Sequence, residues 1–194
     1  MKLFPGLPNH QRVMLALMFG AVSVYALAQQ KQQIGRIASL RLIDPAPRVI
    51  DGDTLEVAGS TVRTVGIDAP DDDLPQLKRL SAQTMAGLVQ RDGGVECAAS
   101  LFDVALRQEQ QCRSPATSYG RLNLSCRLKK NGASLAATMV AQGYAVDYRR
   151  YSGGAYVKLM QQAARQRIGL WGQNYEGMRR LAVDRAALPP SCTS

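Results

Sequence analysis

The sequence predicts an α+β chain, a small β-barrel with about three helices. Three observations carry this. Short runs rich in β-branched residues recur between Gly, Pro and Ser punctuation, above all over residues 49–71. Residues 74–90 then place Leu77, Leu80, Thr84, Met85 and Leu88 at three- and four-residue spacings, the period of a helix. Two shorter helical patterns follow, at 134–142 and, basic and amphipathic, at 155–167. At 194 residues the chain has the length of one ordinary domain with a real core. No internal repeat is present.

Residues 1–28 read as a targeting segment. Lys2 and Arg12 flank an uncharged run at 13–28, which ends in the small-x-small cleavage pattern Ala26-Leu27-Ala28. The run is shorter than the roughly 20 residues of a membrane-spanning helix, and an uncleaved anchor formed by residues 13–28 is the alternative reading. The expected destination is export, periplasmic or secreted. Residues 29–39 are glutamine-rich and read as a flexible lead-in. A short strand is expected at 40–43, before Pro45 and Pro47 break the chain. This divides the protein into a leader (1–28), a lead-in (29–46), a domain (47–172) and a basic, then proline-broken, tail (173–194), loosely held unless Cys192 ties it down.

Residues 49–71 organise the rest. The triplet Ala58-Gly59-Ser60 reads as the turn of a β-hairpin. Pairing about it sets Val57 opposite Thr61 and Leu55 opposite Arg63, with Asp53 near Val65. Strand rise then separates Asp53 and Asp68 by on the order of 10 Å. Gly66 is where a bulge costs least, and a bulge re-aims the side chains that follow. Asp53, Arg63, Asp68 and Asp71 thereby converge on one site. Carboxylates beside an arginine suit a hard cation and a phosphate. The Asp51-Gly-Asp53 loop is not an EF-hand, because the sixth and twelfth positions counted from Asp51 are Glu56 and Val62.

Past this stretch, 71–73 is an acidic turn and 92–94 stops the long helix. A strand fits 95–102. Residues 103–111 fit a helix or a mobile loop, and 112–126 fit a hairpin whose loop is 114–118. Residues 144–151 hold Tyr144, Tyr148, Arg149, Arg150 and Tyr151, which serve either as a base-stacking and phosphate-contacting face or as core packing with a solvated rim. Trp171 reads as a core anchor.

Composition limits the chemistry. The net charge is +9 and the pI about 9.7, a balance that favours polyanionic partners, nucleic acid or an anionic membrane surface. Loss of Lys2 and Arg12 with the leader leaves 22 basic against 15 acidic groups, +7. His10 is the only histidine and departs with the leader, so histidine-dependent hydrolysis and zinc sites built on His are excluded. No phosphate-binding P-loop motif is present. Asp, Glu and Arg are left to carry catalysis. The four cysteines, Cys97, Cys112, Cys126 and Cys192, contain no Cys-x-x-Cys pair. In an exported chain they favour disulfides over four buried thiols, and three pairings are open.

Arg48-Val-Ile-Asp-Gly-Asp-Thr54, followed by Val62-Arg-Thr-Val-Gly-Ile-Asp-Ala-Pro70, resembles the signature of the staphylococcal nuclease (thermonuclease-like) family. Tyr119-Gly-Arg121, Ala137-Thr-Met-Val-Ala-Gln-Gly143, Tyr148-Arg-Arg-Tyr151 and Gly169-Leu-Trp171 fall in that family's order. The resemblance covers residues 47–172 and implies an OB-type five-stranded barrel. It implies Ca2+-dependent hydrolysis of DNA or RNA phosphodiesters with little sequence preference, by a monomer without a nucleotide cofactor. Asp53, Asp68 and the backbone carbonyl of Ala69 would hold the ion, supported by Asp51 and Thr54. Arg63 and Arg121 would hold the phosphate and stabilise its developing charge. Tyr119, Tyr148 and Tyr151 would contact substrate. It also favours a Cys112–Cys126 bridge, leaving Cys97–Cys192. Asp71 stands where the family has a glutamate base, one methylene short, which implies an attenuated enzyme. The alternatives are an exported nucleic-acid-binding module with weak or no turnover, and an envelope domain facing anionic lipid.

Overall fold

The computed structural model describes Tyr25, Gln29 and residues 39–99 and 117–187. The leader apart from Tyr25, the 103–111 segment, Cys112 and Cys192 lie outside the described residues. The chain divides into units 1–39 and 40–194, and the second holds the sheet and the site.

Its core is an α+β arrangement on a curled mixed sheet of seven strands, with about three helices expected and six found among the described residues. The strands run β1 (Arg41–Asp44), β2 (Arg48–Val49), β3 (Thr54–Val57), β4 (Ser60–Thr64), β6 (Val95–Ala98), β7 (Thr117–Ser118) and β8 (Arg121–Leu128). The order is β1-β6-β8-β4-β3-β2, with β7 also on β8. All pairs are antiparallel except β4 with β8. The remaining segment, β5 (Ile67–Asp68), leaves this sheet to pair with β9 (Val146–Asp147). The sheet curls into a half-barrel. Asp44 at the end of edge strand β1 accepts a hydrogen bond (2.8 Å) from the amide of Ala58, in the turn beyond β3 at the opposite side. Strand β1 is thus part of the sheet, although it falls within the stretch read as a lead-in.

The hairpin forms, one residue out of the expected register. Val57 faces Ser60 and Thr54 faces Arg63. The turn has two residues, Ala58 and Gly59, both at positive φ (48° and 76°). A two-residue turn of this kind matches strand twist, and Ala58 accepts a conformation that glycine usually fills. The second hairpin also turns later than expected, at Tyr119 and Gly120 (φ 49° and 74°), between β7 and β8.

Helix α1 (Pro75–Arg91) buries Leu77, Met85, Leu88 and Val89. Helix α2 (Leu135–Ala141) starts at Ser134, whose Oγ accepts from the amide of Ala137 (3.2 Å), and buries Leu135, Met139 and Val140. The barrel interior adds Leu55, Val57, Val62, Val95, Leu124 and Leu128, the inward-facing alternates of their strands. Helix α3 (Arg149–Ser152) is one turn, α4 (Val157–Arg165) is the expected basic helix, and α5 (Leu170–Gln173) carries Trp171, which is buried as expected.

Two expectations are corrected here. Cys126 bridges to Cys97, not to Cys112. The two residues stand directly opposite on β6 and β8, with Cα atoms 4.0 Å apart, so sheet register decides the pairing. The first part of the tail is an ordered helix, α6 (Tyr175–Ala187). Its Met178 and Ala182 pack with Leu77, Val146, Ala163, Leu170 and Trp171. No helix among the described residues is long and apolar enough to cross a membrane.

Candidate functional site

The site lies where β3, β4, β5 and β8 meet. Thr54 and Arg63 are cross-strand partners and therefore share a face. Arg121 sits at the start of β8, which runs parallel to β4. Gly66 (φ 85°) turns the chain out of the sheet, and the carbonyl of Gly66 accepts from the amide of Tyr148 (2.9 Å). This break, rather than a simple bulge, carries Asp68 back toward Asp53. The Asp51-Gly52-Asp53 loop packs against α1. A Cβ on Gly52 would lie 1.9 Å from Ser81 Oγ and 2.7 Å from the Ala69 Cβ, so only glycine allows this approach.

Asp53 and Asp68 are 3% and 6% exposed. Asp53 Oδ1 accepts from Thr54 Oγ1 (2.7 Å) and Arg63 Nη1 (3.1 Å). Its Oδ2 takes Arg63 Nη2 (2.8 Å) and the Ala69 amide (3.3 Å). Asp51 Oδ1 accepts from the Asp53 amide (3.1 Å), which fixes the loop. Arg63 Nη2 also donates to Asp68 Oδ1, so one nitrogen touches both carboxylates. The two acids are a pair of hydrogen bonds apart, much closer than strand spacing alone implies. Burial pushes the Asp53 carboxyl up to about 8 against the opposing pull of Arg63. Burial lowers Arg63, but Asp53 and Asp68 outweigh it and hold the guanidinium above its ordinary value.

Asp68 Oδ2 accepts from Arg185 Nε (2.6 Å) on α6. Sequence reasoning missed Arg185. The spacing of Met178, Ala182 and Arg185 does mark one helical face, but nothing local names a partner 117 residues away. The Arg185 guanidinium also lies 5.5 Å from the Tyr148 ring centroid. Tyr148 packs edge-on against Tyr151, with centroids 4.7 Å apart. Tyr151 joins Arg63, Ser118 and Asn123 around a shallow, open cleft. Behind these tyrosines, buried Asp147 accepts from Ser152 Oγ (2.7 Å) and the Tyr156 amide (3.0 Å), shaping the loop that carries them.

Arg121 contacts Thr54 Oγ1 through Nη1 at 3.4 Å, and its Nε is buried without a hydrogen-bond partner among the described residues. Tyr119 does not join the cluster; it is 98% exposed at the hairpin tip, with Arg121 5.9 Å from its ring centroid. Asp71 also stands apart. Its carboxylate is exposed and takes Lys78 Nζ (2.7 Å), which also donates to Asp72 (2.8 Å). The Lys78 hydrogen bond holds the Asp71 carboxyl below its usual range. Lys78, one turn into a helix preceded by three acids, is detectable from sequence spacing.

Among the described residues no group of three or more acidic, His or Cys side chains converges. The donor set is Asp53 and Asp68, all oxygen and close enough to share one ion. A hard divalent cation held there would have two carboxylates from the chain and would take the rest of its coordination from water and backbone carbonyls.

Fold and site together define an α+β half-barrel with a buried carboxylate–guanidinium cluster on one face. No family model matches the chain. It is similar to the succinoglycan biosynthesis protein ExoI of Rhizobium meliloti (strain 1021), at 29% identity over 150 residues, covering 74% of this chain and 72% of that protein.

Proposed function

We propose that the protein is a Ca2+-dependent nuclease that hydrolyses DNA or RNA phosphodiesters with little sequence preference, on an OB-type barrel of the thermonuclease-like kind. The observation that carries this reading is Arg121. Its buried Nε has no acceptor among the described residues, beside a cluster that already contains a second arginine. A buried guanidinium nitrogen without an acceptor is costly, and a phosphate oxygen answers that need with charge-assisted hydrogen bonds.

In this reading Asp53 and Asp68 hold the cation, which when bound supplies Lewis-acid polarisation of a phosphoryl oxygen. Arg121 and Arg63 grip the phosphate from the β8 and β4 sides and stabilise its developing charge. Asp51 and Thr54 keep Asp53 in place. Tyr151 lines the cleft beside Arg63 and offers a base a stacking face. Asp71 accepts a proton from the attacking water after moving away from Lys78. The basic surface recruits the polyanion, and residues 1–28 direct export.

The test is digestion of plasmid and RNA by the protein, with Ca2+ and with chelator. Cleavage should require the ion, and Arg121→Ala should lower the rate by about 10²-fold or more. Undiminished cleavage in excess chelator overturns the metal mechanism. One observation favours a second reading, binding without turnover: Asp71 is tied to Lys78 and its carboxyl is held low, a poor state for a base. DNA binding without cleavage under all ions would establish that reading.

A further inference from the structure

We infer that Arg185 is the resident counter-ion of Asp68, a positioning residue that yields its place when a divalent cation binds. The inference rests on the cation-binding part of the proposed function. Both Asp68 oxygens are engaged by guanidinium groups, Oδ1 by Arg63 and Oδ2 by Arg185. A cation shared by Asp53 and Asp68 must therefore meet an oxygen that an arginine already holds. The two arginines are not equally fixed. Arg63 touches both carboxylates, and its side chain is 18% exposed. Arg185 reaches one carboxylate, through Nε, and its side chain is 32% exposed.

Arg185 also has a second partner. Its guanidinium already lies 5.5 Å from the Tyr148 ring centroid, a cation–π contact that Arg185 can keep after releasing Asp68. The placement is built into the fold. Met178 and Ala182 anchor α6 in the core, and Arg185 follows on the same face at helical spacing. Asp68 is nearly inaccessible to water, so a positive charge beside it opposes a second one strongly. Arg185 thus holds the Asp68 carboxylate aligned in the metal-free protein and sets how tightly the site takes a cation.

The test is titration of the full chain with Ca2+, and with Tb3+ as a luminescent probe, in the absence of nucleic acid. Removing one charge next to the ion should tighten binding by about tenfold or more in Arg185→Ala. Arg185→Gln, which keeps the stem over Tyr148, should tighten it likewise. Arg185→Lys should stay near wild type, as should Arg179→Ala on the same helix, whose arginine pairs with Glu176 away from the site. Trp171 fluorescence reports whether α6 remains docked. Equal or weaker affinity in Arg185→Ala and Arg185→Gln overturns the counter-ion role and leaves the nuclease reading standing. Failure of wild type and variants alike to bind either ion overturns the cation site and the counter-ion role with it.

Discussion

Replacing Arg63 by Ala removes the one group that touches both carboxylates. Its guanidinium donates twice to Asp53, at 3.1 and 2.8 Å, and once to Asp68. Breaking a buried ion pair from one side costs about 3–5 kcal/mol, because the other charge is left unpaired. Two features of the site reduce the loss. Asp53, already pushed up to about 8 by burial, takes on a proton. Asp68 keeps Arg185. The lower end, about 3 kcal/mol, is therefore expected, and for a chain of this size it lowers Tm by about 6–12 °C. The assay is thermal unfolding of both proteins in chelator. The deficit should be larger at pH 9 than at pH 6, since at high pH Asp53 must either take up a proton from a basic solution or stay ionised without its partner. A variant that melts within about 2 °C of wild type at pH 9 refutes the reasoning, because the cluster would then contribute less than a single surface pair.

Three further outcomes are expected. The raised Asp53 carboxyl makes the metal-free protein lose stability as pH rises from 3.8 through about 8, because the unfolded chain releases that proton first; Asp53→Asn should flatten the slope in denaturant titrations across that window. Gly52→Ala puts a Cβ 1.9 Å from Ser81 Oγ and should cost about 1–3 kcal/mol by overpacking, and an unchanged urea midpoint would count against the close packing of the loop on α1. Asp71→Glu restores the missing methylene and should raise kcat, by up to about 10²-fold if 1 Å of reach is what limits the base, with KM little changed; a lower kcat would show a site formed around aspartate.

What the sequence made legible was local. The helix over 75–91 follows from apolar spacing and its Asp92-Gly93 stop, and the approach of Asp53, Arg63 and Asp68 follows from strand alternation and a glycine break. The misses are of three physical kinds. The hairpin register slipped because the turn puts Ala58 at positive φ, a cost a sequence rule assigns to glycine. The disulfide was misassigned because β6 and β8 are distant in the chain, and only their register makes Cys97 and Cys126 opposite. Arg185 was missed because its role exists only once α6 docks, through Met178 and Ala182, against residues spread along the chain.

The docking of α6 also sets an order of arrival. A ribosome delivers Asp53, Arg63 and Asp68 early and Arg185 only 117 residues after Asp68. At about 5–20 residues per second that interval is roughly 6–23 s. Until α6 arrives, Asp68 lacks the Arg185 partner that engages its second oxygen. Helix α6 therefore completes, late in synthesis, the charge pattern of a site whose first acid was made at the start of the barrel.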